Sequence, residues 1–399
     1  MLPLKILPLE VYERAIDATL HLKTSENSTI ENARLRRTTL LACALTCKAW
    51  LFRSRYHLHR EVQIFDKCQL DRFVAVLRNE PNIGQFVRTF VVGSRPQAGK
   101  VKQWAHLIPL YLAEFMHGLK VFIVNGCDWR VLHPSFLMKA AKFVTVTKLV
   151  MHTVKLGTSR ELTKLVFSFP NLRELTVQDT QCAKNRPCQL FKNARRCLPL
   201  EFLFFRRALL GYFMLELLGE TGSNASIHSL ELEFATDTPE IETICDFIKG
   251  CASLRFAFLQ VPLGVDKVEL DVYKSLSLSN AICLRRLKFS SNLSPSIFSL
   301  LVQMLRTAPI GAITDIFILF WTEWTPSLEQ KIKALEAIDW TPLDNALSAT
   351  RYKALEHLCI QVVYMRGLSA LPTFLEQKLP KLHKKGVLID ELDIERYYF

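Results

Sequence analysis

Residues 172–177 read LRELTV and residues 284–289 read LRRLKF. In both, apolar side chains hold the first, fourth and sixth places and polar ones stand between. From the fourth place on, this is the alternation a strand requires, because successive side chains of a strand point to opposite faces. Working outward, the same spelling returns as VRTFVV from Val87, LKVFIV from Leu119, VTKLVM from Val146, LEFLFF from Leu200, IHSLEL from Ile227, LRFAFL from Leu254, ITDIFI from Ile313 and LEHLCI from Leu355. Successive starts lie 32, 27, 26, 28, 27, 27, 30, 29 and 42 residues apart. A period that regular marks one repeating unit.

Between the strands the apolar spacing changes to that of a helix. VKQWAHLIPLYLAEF places Val101, Trp104, Ile108, Tyr111 and Phe115 at alternating steps of three and four, which predicts one helical face. PEIETICDFIKG supplies Ile241, Ile244, Phe247 and Ile248, with Pro239 at the start and Gly250 at the end. PSIFSLLVQML from Pro295 and LEQKIKALEAI from Leu328 behave alike. Strand, loop and helix in repetition predict an α/β chain, a curved solenoid with parallel strands inside and helices outside. The L-x-x-L-x-[LIVF] pattern resembles a degenerate leucine-rich repeat of the longer, helix-containing type. The asparagine of tidy repeats is largely absent, although Asn125 and Asn292 follow their strands. A doubly wound α/β domain also alternates strand and helix, but about ten near-equal periods are hard to fit into one such sheet.

The last long period holds TEWTPSLEQKIKALEAIDWTPLDNALSATRYKALEHL and the tryptophans Trp321, Trp324 and Trp340. Its length predicts two helices where other periods have one, with the tryptophans sealing the extra volume rather than anchoring a partner. The final GVLIDELDIERYYF reads as a last strand that caps the core.

Ahead of the repeats stand LPLEVYERAIDATL, residues 7–20, and LLACALTCKAWLFRSRYHLHREV, residues 40–62. Pro8 suits a first helical turn because its missing N–H has no partner there, and Glu10 faces the positive end of the helix dipole. Val11, Ala15 and Ile16 then line one side. The polar HLKTSENSTIENARLRRTT between the segments reads as a solvated loop with a frayed helical extension. Together the segments resemble the F-box, a three-helix module whose L-P-x-E-[VI] opening and later L-x-x-[CA]-x-x-W stretch dock onto a Skp-family adaptor of a cullin-RING ubiquitin ligase. The resemblance divides the chain into an F-box-like helical domain, 1–65, and a leucine-rich-repeat-like solenoid, 66–399. It implies a substrate-recruiting subunit of an SCF-type ligase that does no bond chemistry itself and works by effective concentration. The adaptor-docking residues it implies are Leu7, Pro8, Leu9, Val11, Ile16, Leu40, Leu41, Leu45, Lys48, Trp50 and Leu51, some of which must pack the module's own core. The solenoid then holds an unknown protein substrate. A repeat scaffold with no ubiquitin role is the alternative.

Little points to an enzyme. GSRPQAGKV from Gly93 fails as a phosphate loop, since five residues separate Gly93 from Gly99 and Val101 stands where a hydroxyl must reach magnesium. Cys182, Cys188 and Cys197 are too loosely spaced for zinc, and His57 and His59 lie among basic residues. No cofactor is expected. The 11 cysteines are scattered, and neither a secretory signal nor a membrane-length apolar run is found. The chain therefore reads as cytoplasmic or nuclear, with no membrane partner.

Charge is unevenly spread. Residues 1–200 carry 31 Lys and Arg against 14 Asp and Glu, and residues 201–399 carry 20 against 24. The basic excess peaks at Lys184, Arg186, Lys192, Arg195, Arg196, Arg206 and Arg207. Such a cluster reads as a patch for an acidic or phosphorylated segment, or as a plain solvated surface. Nucleic acid is the lesser candidate, because no aromatic residues interleave the cluster.

Overall fold

Every period of the repeat enters its strand the same way. Its first apolar residue, from Val87 and Leu119 through Leu172, Ile227 and Leu284 to Leu355, is buried. The next peptide groups then hook onto the preceding period. The carbonyl of Arg173 accepts from the N–H of both Glu201 and Phe202; Glu201 O accepts from His228 and Ser229, and His228 O from Arg255 and Phe256. The same fork recurs at Arg255, Arg285 and Thr314. This satisfies backbone groups that would otherwise be buried unpaired at each strand entrance.

In this computed structural model the described residues are 9–18, 29–93, 103–130, 135–184, 197–206, 211–233, 241–261, 276–309, 311–321, 328–363 and 370–388. The strands are β1 (Glu61–Ile64), β2 (Thr89–Gly93), β3 (Val121–Asn125), β4 (Asp128–Trp129), β5 (Lys148–His152), β6 (Lys155–Thr158), β7 (Glu174–Gln178), β8 (Gln181–Lys184), β9 (Phe202–Arg206), β10 (Ser229–Glu233), β11 (Phe256–Gln260), β12 (Arg286–Asn292), β13 (Asp315–Trp321) and β14 (His357–Val363). The protein is α/β: 11 of these form one large parallel sheet in the order β1, β2, β3, β5, β7, β9, β10, β11, β12, β13, β14. Strands β4, β6 and β8 form a second, small sheet. All ten quoted segments overlap a strand of the large sheet. Strand β1 is the exception to the spelling, since the pattern runs its Val62 into the end of a helical segment.

The chain divides into two compact units, Met1–Val150 and Met151–Phe399. The first begins with helices α1 (Leu9–Ala18), α2 (Thr29–Thr46), α3 (Lys48–Arg60) and α4 (Lys67–Asn79). The polar stretch, expected as a solvated loop with a frayed helical extension, is helical from Thr29 onward, because Glu31, Ala33, Leu35 and the arginines around them are good helix formers. Residues 21–28 lie outside the described residues. Phe90 pairs in register with Phe122, and Val92 with Val124, so the apolar faces of β2 and β3 form continuous columns. The single helix expected across Val101–Phe115 is, among the described residues, a 3-10 turn, Gln103–Leu107, followed by a short helix, Ile108–Leu112. Pro109 has no N–H to continue a preceding helix and restarts it, which leaves Tyr111 exposed.

In the second unit Leu203, Leu230, Ala257, Leu287, Ile316 and Leu358 share one register row, and Phe205, Leu232, Leu259, Phe289, Ile318 and Ile360 the next. All twelve are buried. Helices return between strands as the spacing predicts. Ile241–Lys249 buries Ile244, Phe247 and Ile248, and Pro295–Thr307 starts at Ser294, whose hydroxyl accepts from Ile297 N. Gly250 matters for room rather than for dihedral freedom, since a Cβ there would overlap Asn224 Nδ2.

The long period does hold two helices, Leu328–Glu336 and Thr341–Ser348. Trp340 seals them. It is buried, meets Phe298 edge-on at 5.0 Å, and donates to Leu335 O at 3.0 Å. Trp321, at the end of β13, donates to Ser290 Oγ at 2.7 Å. Trp324 lies outside the described residues. Near the end of the chain Leu388 bridges Leu358 in parallel; residues 389–399 lie outside the described set.

Candidate docking surface

Helix α1 is tied to α3 by one carboxylate. Asp17 accepts from Arg53 Nε at 2.8 Å and Arg53 Nη2 at 2.6 Å, a forked pair that fixes both distance and orientation. His57 Nε2 lies 2.7 Å from the same carboxylate and must be the donor, since an ionised carboxylate only accepts. The Arg53 hydrogen bonds, helped by His57, hold Asp17 down at about 2. Burial holds His57 below its ordinary 6.5, against the opposing pull of Asp17. Its Nδ1 and the nearby Ser54 hydroxyl are buried with no partner among the described residues.

Between α2 and α3 only Cys47 breaks the helix. Its backbone is extended, and its carbonyl accepts from Trp50 N and Leu51 N at 3.2 Å each, which starts α3 at once. The turn leaves Leu41 and Leu45, one helical turn apart on α2, 45% and 87% exposed. On α3, Leu51 is exposed and Phe52 is 68% exposed. Val11 and Ala15 are exposed on α1. Tyr56 and Phe52 pack edge-on to Phe86 at 5.7 and 6.0 Å, and so hold this end of α3 in place.

The residues assigned to adaptor docking therefore sort into groups. Val11, Leu41, Leu45, Lys48 and Leu51 are exposed, and Trp50 is half-buried. Ile16 and Leu40 are buried and belong to the helices' own core, so Val11, Ala15 and Ile16 do not share a single environment as their spacing suggested. Leu7 and Pro8 lie outside the described residues, and of Leu9 only the backbone is described. Leu35 and Phe52 are exposed apolar residues outside the set that the resemblance implies. Leu35 falls in the stretch whose polarity suggests a loop, and Phe52 follows Leu51 in a run whose facing directions need the helix axis.

Most of the basic cluster falls on positions without a description: Arg186, Lys192, Arg195, Arg196 and Arg207 lie outside the described residues, and Lys184 is described only as the end of β8. Arg206 is not a free cation, because its Nε donates to Glu233 at 2.6 Å. Among the expected non-sites, Gly93 ends β2 and the rest of its loop up to 102 lies outside the described residues. The Cys182 thiol is pushed up to about 12, chiefly by burial and then by the Glu161 carboxylate. Among the described residues no cluster of His, Cys, Asp and Glu could hold a metal, and no helix is long and apolar enough to cross a membrane.

An α/β protein with an 11-stranded parallel sheet, preceded by helices that expose leucines, is the class this geometry defines. No protein-family model matches the chain, and no curated protein matches its sequence.

Proposed function

We propose that this chain is a substrate receptor of an SCF-type ubiquitin ligase, with α1–α3 docking a Skp-family adaptor and a leucine-rich-repeat-like solenoid holding the target. The observation that carries the reading is the pair Leu41 and Leu45. Two leucines one turn apart in water gain nothing for the fold, and an apolar face of this kind is what a partner covers. Leu51 and Phe52 extend it onto α3, and Val11 adds α1. The segments LPLEV, residues 7–11, and LTCKAW, residues 45–50, support the partner's identity by their resemblance and order, although Ala44 stands where the second pattern has its leucine. On this reading the parallel strands with intervening helices are irregular leucine-rich repeats, and the chain holds its target near the ubiquitin-charged enzyme without bond chemistry of its own.

The test is co-expression of the full chain with a Skp-family adaptor, followed by co-elution and calorimetry. The reading expects a stable complex that Leu41→Glu with Leu45→Glu abolishes while the melting temperature of the free chain is unchanged. A soluble, folded chain that binds no such adaptor would leave the interaction scaffold without a ubiquitin role.

A further inference from the structure

The face of the second unit's sheet opposite its buried rows has its own order. Strand β10 presents Ser229, Glu231 and Glu233 there, all half-buried. Its register partners on β9 are Phe202, Phe204 and Arg206, and on β11 Phe256, Phe258 and Gln260. Adjacent strands stand about 4.8 Å apart, so Ser229 and Glu231 line a narrow floor with two phenylalanines along each side. Glu233 is already paired with Arg206. Glu231 accepts no hydrogen bond from any described residue, and burial pushes its carboxyl above the ordinary range despite the attraction of Lys288.

A half-buried carboxylate without a hydrogen-bond donor is costly to keep ionised, and a cation is the group that offsets the cost. Phenyl faces also attract cations. The chain supplies its own example: the ammonium of Lys288, the register partner of Phe258 on β12, sits 4.9 Å from the centroid of that ring. Glu231 is the register partner of Phe258 on β10.

We infer that the floor of β10 receives a lysine or arginine side chain from a bound protein segment, its cation paired with Glu231 and its aliphatic stem lying between Phe204 and Phe258. The stem buries its methylenes against the rings while the charged head reaches the carboxylate. Basic, locally extended segments are therefore the ligand class. The inference rests on the receptor reading only in calling that segment a substrate.

The experiment pans a displayed library of random octapeptides on the intact chain and synthesises the enriched sequence. The expected result is a lysine or arginine at one fixed position, with binding weakened at least tenfold when that residue becomes glutamine. Glu231→Gln in the protein weakens binding by the same factor, and the two changes together weaken it no further. Phe204→Ala and Phe258→Ala each weaken it, and Glu231→Lys turns the selection toward acidic peptides. Circular dichroism confirms that each variant is folded. Absence of enrichment, enrichment without a fixed basic position, or undiminished binding to folded Glu231→Gln overturns the inference. Adaptor binding is measured on the same Glu231→Gln protein. Loss of the adaptor reading with peptide selection intact leaves the cation site standing and removes only the word substrate.

Discussion

Leu45 and Leu230 are the same side chain under opposite conditions: Leu45 on α2 is 87% exposed, and Leu230 on β10 has no exposed surface. The difference separates a leucine that the fold covers from one that it leaves in water, the kind that the proposed docking reading uses. On β10 the neighbours Leu203 and Ala257 complete a row, and burial of one such side chain contributes about 1.5–3 kcal/mol. On α2 no described residue does this for Leu45. Where the sheet is held by apolar rows, α1 and α3 add a polar fastening, Asp17 with Arg53 and His57, to the buried Ile16.

The contrast is broken most directly in the sheet. Leu287→Ala removes a buried side chain from the middle of its row, and should cost about 2–5 kcal/mol in urea unfolding, depending on how far the site collapses. A cost below about 1 kcal/mol would mean that the rows are not what holds the sheet. Gly250→Ala comes next. A Cβ at that position must displace the buried Asn224 amide, which itself donates to Phe247 O at 3.2 Å, so a loss of about 1–3 kcal/mol is expected. Asn224→Ala in the same chain should recover part of it, and strict additivity of the two changes would argue against the clash.

Asp17→Ala tests the polar fastening. The expected loss is about 1 kcal/mol, because the carboxylate is more than a third exposed and water screens the pair. Its sign with pH follows from the direction of the shifts. Asp17 is held at about 2 against an ordinary 3.8, so its contribution is present above about pH 4 and disappears as pH falls toward 2. His57 is held below 6.5, so acidification through that value also costs stability, since the unfolded chain takes up a proton that the folded one resists. An unfolding free energy that is unchanged between about pH 7 and 4, with no further loss below about pH 4, would contradict both.

A smaller effect, of opposite sign, is expected at Thr153. It is exposed and carries a φ of 54°, and it occupies the turn after β5 that Gly126 occupies after β3 with φ 61° and Asp179 after β7 with φ 48°. A β-branched residue is strained there, so Thr153→Gly should raise the unfolding free energy by up to about 1 kcal/mol. The smallest effect on stability belongs to Leu45→Ser, expected within about 0.5 kcal/mol. A larger loss would place Leu45 in the fold and weaken the docking reading.

The repeat is legible because its signal is doubly redundant. At each first, fourth and sixth position, as in Leu172, Leu175 and Val177, an apolar residue is both a local strand preference and a buried contact, and the spelling recurs down the chain. The candidate docking face is half legible. Leu41, Leu45 and Leu51 stand out for being apolar, and so do Ile16 and Leu40, which are buried. Apolar character alone does not tell a core residue from a docking residue, since Leu40 and Leu41 are neighbours on one helix. Glu231 carries no local signal at all, because its phenylalanine neighbours lie on β9 and β11, 27 residues away in sequence on either side.

The sequence by itself determined the period, the ten strands that follow its spelling and which of their side chains turn inward, because alternation and helical spacing act over a few residues. Only the tertiary structure decided which leucines of α1–α3 turn outward, that Pro109 splits a helix the spacing drew as continuous, and that Phe204, Glu231 and Phe258 share a row. Those outcomes depend on which segments lie side by side. That is set by sheet register and by pairs such as Asp17 with Arg53, across distances no local pattern records.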